Sequence, residues 1–226
     1  MYVDFILCIK YNIKWIEFTI NLIIFLGDNM NKLFKSIASG ILIGVGGIVY
    51  LSCDIKYIGA FLFSLGLFTI CEFGLKLYTG EVGYIFINKG TFYLEVLKTL
   101  FGNIIGTFVA GIMTTFSKPG ISEKALMLCN SKLEQKPVQT LILAFFCGAL
   151  MFIAVNTYRR GSGIGRYIGI FTAVPVFILS GFEHCMADMY YFFSAGIVSF
   201  KMSVFIVLCI IGNALGAFAM AYFNDK

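Results

Sequence analysis

Between residues 36 and 223 the chain carries six apolar runs separated by short charged or polar stretches, at 36–52, 57–77, 96–116, 138–157, 167–199 and 202–223. A hydrocarbon core about 30 Å thick is crossed by roughly 20 helical residues, and these runs meet that length. With 59% hydrophobic and 13% charged residues, the chain departs from a water-soluble domain, for which about 45 to 50% and about 25% are usual. Long continuous runs favour helices over the alternating short segments of a barrel. The expected fold is an all-α integral membrane protein with six transmembrane helices.

The first thirty residues are different. Asp4, Lys10, Lys14 and Glu17 interrupt an apolar stretch that is neither a clean span nor a secretory signal. It reads either as an amphipathic interfacial helix carrying Trp15 or as the product of a mis-assigned start ahead of Met30. Residues 31–226 then form a single transmembrane domain. Lys32, Lys35, Lys89, Arg159, Arg160, Arg166 and Lys226 fall on one side of a six-span arrangement, which places both termini in the cytoplasm. Such loop charges serve orientation and lipid contact, so nucleic acid is not an expected partner. The cysteines are scattered without a CxxC pair, and no metal or cofactor is expected.

A repeat runs through the chain. Gly102-Asn103-Ile104-Ile105-Gly106 matches Gly212-Asn213-Ala214-Leu215-Gly216 at an offset of 110, and Ser39-Gly40-Ile41-Leu42 matches Cys147-Gly148-Ala149-Leu150 at 108. Two halves, about 36–116 and 138–223, each hold three spans, so the second enters the membrane from the opposite side. Recurrent GxxxG packing is the plainer reading of the glycines, and helix-to-helix polar glue that of Asn103 and Asn213.

Polar clusters interrupt the middle span of each half. Glu72 and Lys76 stand i,i+4 on one helix face, where a local ion pair is expected. In the other half Gly181-Phe182-Glu183-His184-Cys185-Met186-Ala187-Asp188 cuts an apolar run too long for one span. A charge at the bilayer centre costs about 2.5 to 3.5 kcal/mol, so these groups either sit at a surface or line a polar cavity where a broken helix exposes its backbone.

Gly181-Phe182-Glu183-His184-Cys185-Met186-Ala187-Asp188-Met189-Tyr190 resembles the signature of the formate/nitrite transporter family, and Leu77-Tyr78-Thr79-Gly80 is similar to that family's Leu-Phe-Thr segment. Gly102-Asn103, Gly106, Lys124-Ala125-Leu126 and Pro175 extend the resemblance over roughly residues 32 to 223. It implies an inverted 3+3 repeat with broken second and fifth helices in an aquaporin-like arrangement, a homopentamer, and passage of small monovalent anions of weak acids of the formate, nitrite or hydrosulfide class. It also implies His184 as the pore histidine, Thr79 as its loop partner, Lys124 as the vestibule lysine, and Phe63, Leu67, Leu77 and Phe177 as hydrophobic constrictions. Three positions depart from the family pattern: Lys76 stands where Glu is common, Asp188 where Asn is common, and Ala149 where a pore-facing Asn is usual. Glu72, Lys76 and Asp188 are therefore candidates for a substitute ion-pair network.

An anion does not cheaply pass a ring of Phe and Leu, but its neutral acid does. The functional expectation is a channel or proton-coupled carrier in the plasma membrane. Its partners are a small anionic solute and lipid. Two alternatives stand beside it. One is a non-transporting scaffold; the other is a membrane enzyme using Glu183 and His184, which no nucleophile pattern supports.

Overall fold

Both interrupted helices in this protein end in the same way. The computed structural model describes residues 30–88 and 90–224, so the amphipathic segment at 1–29 and the charges Lys89 and Lys226 lie outside the described residues. Helix α1 covers Met30–Ser52 and α2 covers Lys56–Glu72. After a four-residue helix α3, Tyr78–Glu81, and a 3-10 turn at Val82–Ile85, the chain enters α4, Phe92–Ser117. Helix α5 is Pro119–Leu133, α6 Pro137–Arg160 and α7 Gly165–Leu179. Helices α8, Cys185–Ser194, and α9, Phe200–Asn224, complete the described chain. The described residues are helical with no strand, and α1, α4, α6 and α9 are each long and apolar enough to cross a membrane.

The breaks after α2 and α7 are set by two glycines in the left-handed region, Gly74 at φ +58° and Gly181 at φ +68°. This conformation penalises a Cβ and closes the helix with a paired reverse bond. Leu75 N–H donates to Ile70 C=O at 2.9 Å and Gly74 N–H to Cys71 C=O at 3.2 Å. In the other helix Phe182 N–H donates to Phe177 C=O at 2.9 Å and Gly181 N–H to Ile178 C=O at 3.2 Å. The chain then runs extended through Leu77 (φ −120°, ψ 127°) and His184 (φ −101°, ψ 107°) before α3 and α8 begin.

Two buried asparagines hold these extended segments, with matching partners. Asn103 Oδ1 accepts from Tyr78 N–H at 2.8 Å, while its Nδ2 donates to Lys76 C=O at 2.9 Å and Ser36 C=O at 2.7 Å. Asn213 Oδ1 accepts from Cys185 N–H at 3.0 Å, while its Nδ2 donates to Glu183 C=O and Ala144 C=O, both at 2.8 Å. Each side chain thus satisfies backbone groups freed by a helix break, which in a dry interior cost several kcal/mol if left alone. Leu77 and His184 occupy the same place between the two clamped peptide groups.

Small residues allow the clamps to reach. A Cβ on Gly106 would lie 2.1 Å from Ile37 C=O, and one on Gly216 1.9 Å from Phe145 C=O, so α4 meets α1 and α9 meets α6 at backbone contact. The connection at 117–137 is largely the helix α5. Pro119 starts it and Ala125 and Cys129 bury one face.

Candidate functional site

Leu77 and His184 put their side chains at the centre of the molecule, where the four constriction candidates gather. Phe63, Leu67, Leu77 and Phe177 are all buried, as are Thr79 and His184. Phe177 stacks on the His184 ring, with centroids 5.4 Å apart and planes at 26°, and meets Phe63 edge-on at 6.0 Å. Thr79 Oγ1 and His184 Nε2 are 2.9 Å apart, joining the two broken segments across 105 positions of sequence.

The tautomer of His184 follows from its neighbours. Ala187 N–H donates to Nδ1 at 3.2 Å, so the ring caps its own helix α8 with an unprotonated nitrogen. The neutral ring then carries its proton on Nε2, which donates to Thr79 Oγ1. A second proton on Nδ1 would face the Ala187 N–H and break the cap.

Cavities flank this apolar centre on two sides. One, of about 140 Å³, is lined by Leu67, Gly74, Lys76, Leu77, Glu81 and Arg159 among others. Another, of about 70 Å³, has Lys132, Phe177, His184, Asp188 and Tyr191 in its wall. Each contains an ion pair. Lys76 Nζ lies 2.6 Å from Glu81 Oε1, and Glu81 Oε2 accepts from Thr99 Oγ1 at 3.0 Å. On the other side Lys132 Nζ pairs with Glu183 and lies 3.0 Å from Asp188 Oδ1. Gln135 Nε2 adds a bond of 2.7 Å to Glu183 Oε1.

Two expectations change in this geometry. The Glu72–Lys76 pair does not form: Gly74 ends α2 between them, so the i,i+4 spacing no longer puts them on one face. Glu72 instead accepts from Tyr158 OH at 2.9 Å, and Lys76 turns to Glu81. Asp188 is therefore not part of one network with Glu72 and Lys76; it belongs to the Lys132 cluster. Lys124 donates to Leu51 C=O at 3.0 Å, where its charge suits the C-terminal turn of α1. The lysine brought to the histidine side is Lys132. It stood among the basic residues of 118–136, but nothing local distinguished it, because its partners lie 51 and 56 positions away.

A family model described as "Formate/nitrite transporter" matches residues 25–224. The chain belongs to the formate/nitrite transporter family. A formate-nitrite transporter of Plasmodium falciparum (isolate 3D7) is 25% identical over 237 residues, covering 89% of this chain and 74% of that protein. Across the relatives compared, the chain spans 52 to 74% of their length. A solved structure described as an FNT family ion channel superposes with a TM-score of 0.80 at 16% identity, covering 89% of this chain and 92% of the other. A pentameric formate channel with formate bound gives a TM-score of 0.75 at 19% identity, covering 88% and 96%. The fold is thus that of formate/nitrite transporters. These relatives and neighbours are transporters and channels, which sets aside the membrane-enzyme reading of Glu183 and His184.

Proposed function

We propose that this formate/nitrite transporter is a channel or proton-coupled carrier that passes small monovalent anions of weak acids as the neutral acid, along a path between the two cavities and past His184. The observation that carries this reading is the Thr79–His184 bond, a polar contact buried among Phe63, Leu67, Leu77 and Phe177. Such a centre opposes a bare ion, because desolvating a charge is far costlier than desolvating its acid. The Nε2–H of His184 and the Thr79 hydroxyl offer the permeant one donor and one exchangeable partner as it crosses.

Six spans in an inverted 3+3 arrangement account for the fold, with α2 and α3 forming one broken span and α7 and α8 the other. The matched clamps of Asn103 and Asn213 support it. With both termini in the cytoplasm of a plasma-membrane protein, the Arg159 cavity opens inward and the Lys132 cavity outward. A homopentamer, as in the pentameric formate channel of the same fold, is the proposed assembly.

Purified protein in liposomes, challenged with formate, nitrite, hydrosulfide, acetate and lactate at several pH values, tests the reading. Uptake of at least one anion, rising as the outer pH falls, is expected. No flux of any of them would leave the scaffold reading.

A further inference from the structure

Three ionisable side chains from two distant parts of the chain meet beside His184. Lys132 of α5 pairs with Glu183 in the break and with Asp188 of α8, and all three are more than nine-tenths buried, at 8%, 1% and 1% exposure. One cation among two carboxyl groups leaves a net negative charge if both are ionised. In a dry site that charge is costly, and one bound proton removes it.

The bonding pattern distinguishes the two carboxyl groups. Both Glu183 oxygens are engaged, Oε2 by Lys132 and Oε1 by Gln135. Gln135 is itself fixed by Thr140 Oγ1 donating to its Oε1 at 3.0 Å. Asp188 has Oδ1 on Lys132 and its carboxyl group beside that of Glu183, a pairing that needs a proton; its Oδ2 is buried without a donor, in a residue that lines the cavity of about 70 Å³ shared with His184 and Phe177. A buried acceptor without a donor is destabilising, and a proton on this carboxyl group turns it into a donor.

The other titratable groups facing Asp188 do not compete for the proton. They are the thiols Cys129, Cys147, Cys185 and Cys209 and the phenol Tyr191, with Tyr50 in the cavity wall. Thiols and phenols are ordinarily neutral near pH 7 and already hold their protons. His184 is occupied as an acceptor by its own helix cap.

We propose that Asp188, held against Lys132 and Glu183, is the proton donor of the pathway, so that the weak-acid anion is neutralised by a carboxyl group before it meets the imidazole. The anion enters the Lys132 cavity and accepts the carboxyl proton: the O–H bond of Asp188 breaks, an O–H bond to the anion forms, and the new carboxylate is left against the Lys132 ammonium. The neutral acid moves on past Phe177 and His184. Asp188 then takes a proton from a hydronium ion on the Lys132 side, leaving water, which couples one proton to each anion. This rests on the transport reading above and specifies its proton source.

The test uses the full chain in liposomes with labelled formate as the probe, and infrared spectroscopy of the same preparation. In the wild type a protonated-carboxyl C=O band is expected near neutral pH, decreasing as pH rises. Asp188→Asn keeps the shape of the side chain but carries no exchangeable acid proton. It should lose that band, and formate uptake driven by an inward proton gradient should fall by about a hundredfold. Asp188→Asn with wild-type uptake and wild-type pH dependence overturns the proposal, and so does loss of pH dependence in His184→Asn alone. Both results leave weak-acid transport itself standing. If Asp188→Asn does not reach the membrane, the wild-type spectrum decides, since absence of any protonated-carboxyl band overturns the proposal without a variant. Failure of the wild type to move formate or any other weak acid would instead strike the transport reading.

Discussion

Asn213 grips the backbone on both sides of His184, accepting from Cys185 N–H at 3.0 Å and donating to Glu183 C=O at 2.8 Å. The imidazole is thus aimed by its neighbours' peptide groups as well as by its own cap on Ala187. Asn213→Ala removes three hydrogen bonds from a fully buried side chain and strands two carbonyls and one N–H. A loss of about 3 kcal/mol follows. Asn103→Ala should cost about the same, because its partners match one for one. Thermal unfolding of the purified variants in detergent measures both, and a negligible shift in either would show that water replaces the amide.

The glycines divide into two kinds with different expected costs. At Gly181 a Cβ meets nothing within 4 Å, so Gly181→Ala pays only for the left-handed backbone, about 1 kcal/mol. At Gly216 the same added methyl would sit 1.9 Å from Phe145 C=O and force α6 and α9 apart. Gly216→Ala should therefore be the more damaging, by about 1 to 3 kcal/mol beyond Gly181→Ala. Comparison of unfolding midpoints and of folded yield checks the order.

Lys76 and Glu81 give a coupling that the sequence spacing does not suggest. Glu81 is buried while Lys76 is partly open to its cavity. Lys76→Met leaves the Glu81 carboxylate with Thr99 as its remaining polar partner, and Glu81→Gln removes the charge that orients the lysine. A double-mutant cycle on these two should return about 1 kcal/mol of coupling, reduced from a fully buried pair by solvent at the lysine. The same cycle on Glu72 and Lys76 should return none, since Gly74 separates them and Tyr158 occupies Glu72.

The features legible in the chain were those carried by local pattern. Long apolar runs marked the helices, the glycine with a following charged stretch marked the second break, and the repeated Gly-Asn-x-x-Gly marked the two clamping helices. His184 and Thr79 were legible through the motifs around them. Lys132 was not, because a buried lysine differs from its exposed neighbours Lys118 and Lys136 only in what the fold brings to it. The Glu72–Lys76 pairing failed for a related reason. Helical spacing holds only while the helix continues, and a single positive-φ glycine cancelled it.

Phe177 tests whether dryness at the centre enforces passage as the neutral acid. Its ring is buried, stacks on His184 and meets Phe63 edge-on, so Phe177→Ala opens the wall between the His184 cavity and the apolar centre. Loss of a buried aromatic costs about 3 kcal/mol of stability, and the vacated space joins the cavity lined by Lys132, His184 and Asp188, whose polar groups can hold water. Hydration lowers the cost of carrying a charge through, so formate should cross with a weaker dependence on the proton gradient, and water permeability should rise. Stopped-flow light scattering of proteoliposomes reports the water, and formate conductance across a planar bilayer reports the ion. If Phe177→Ala leaves conductance negligible and proton-coupled flux unchanged, the barrier to charge lies elsewhere, and the ring beside His184 serves packing alone.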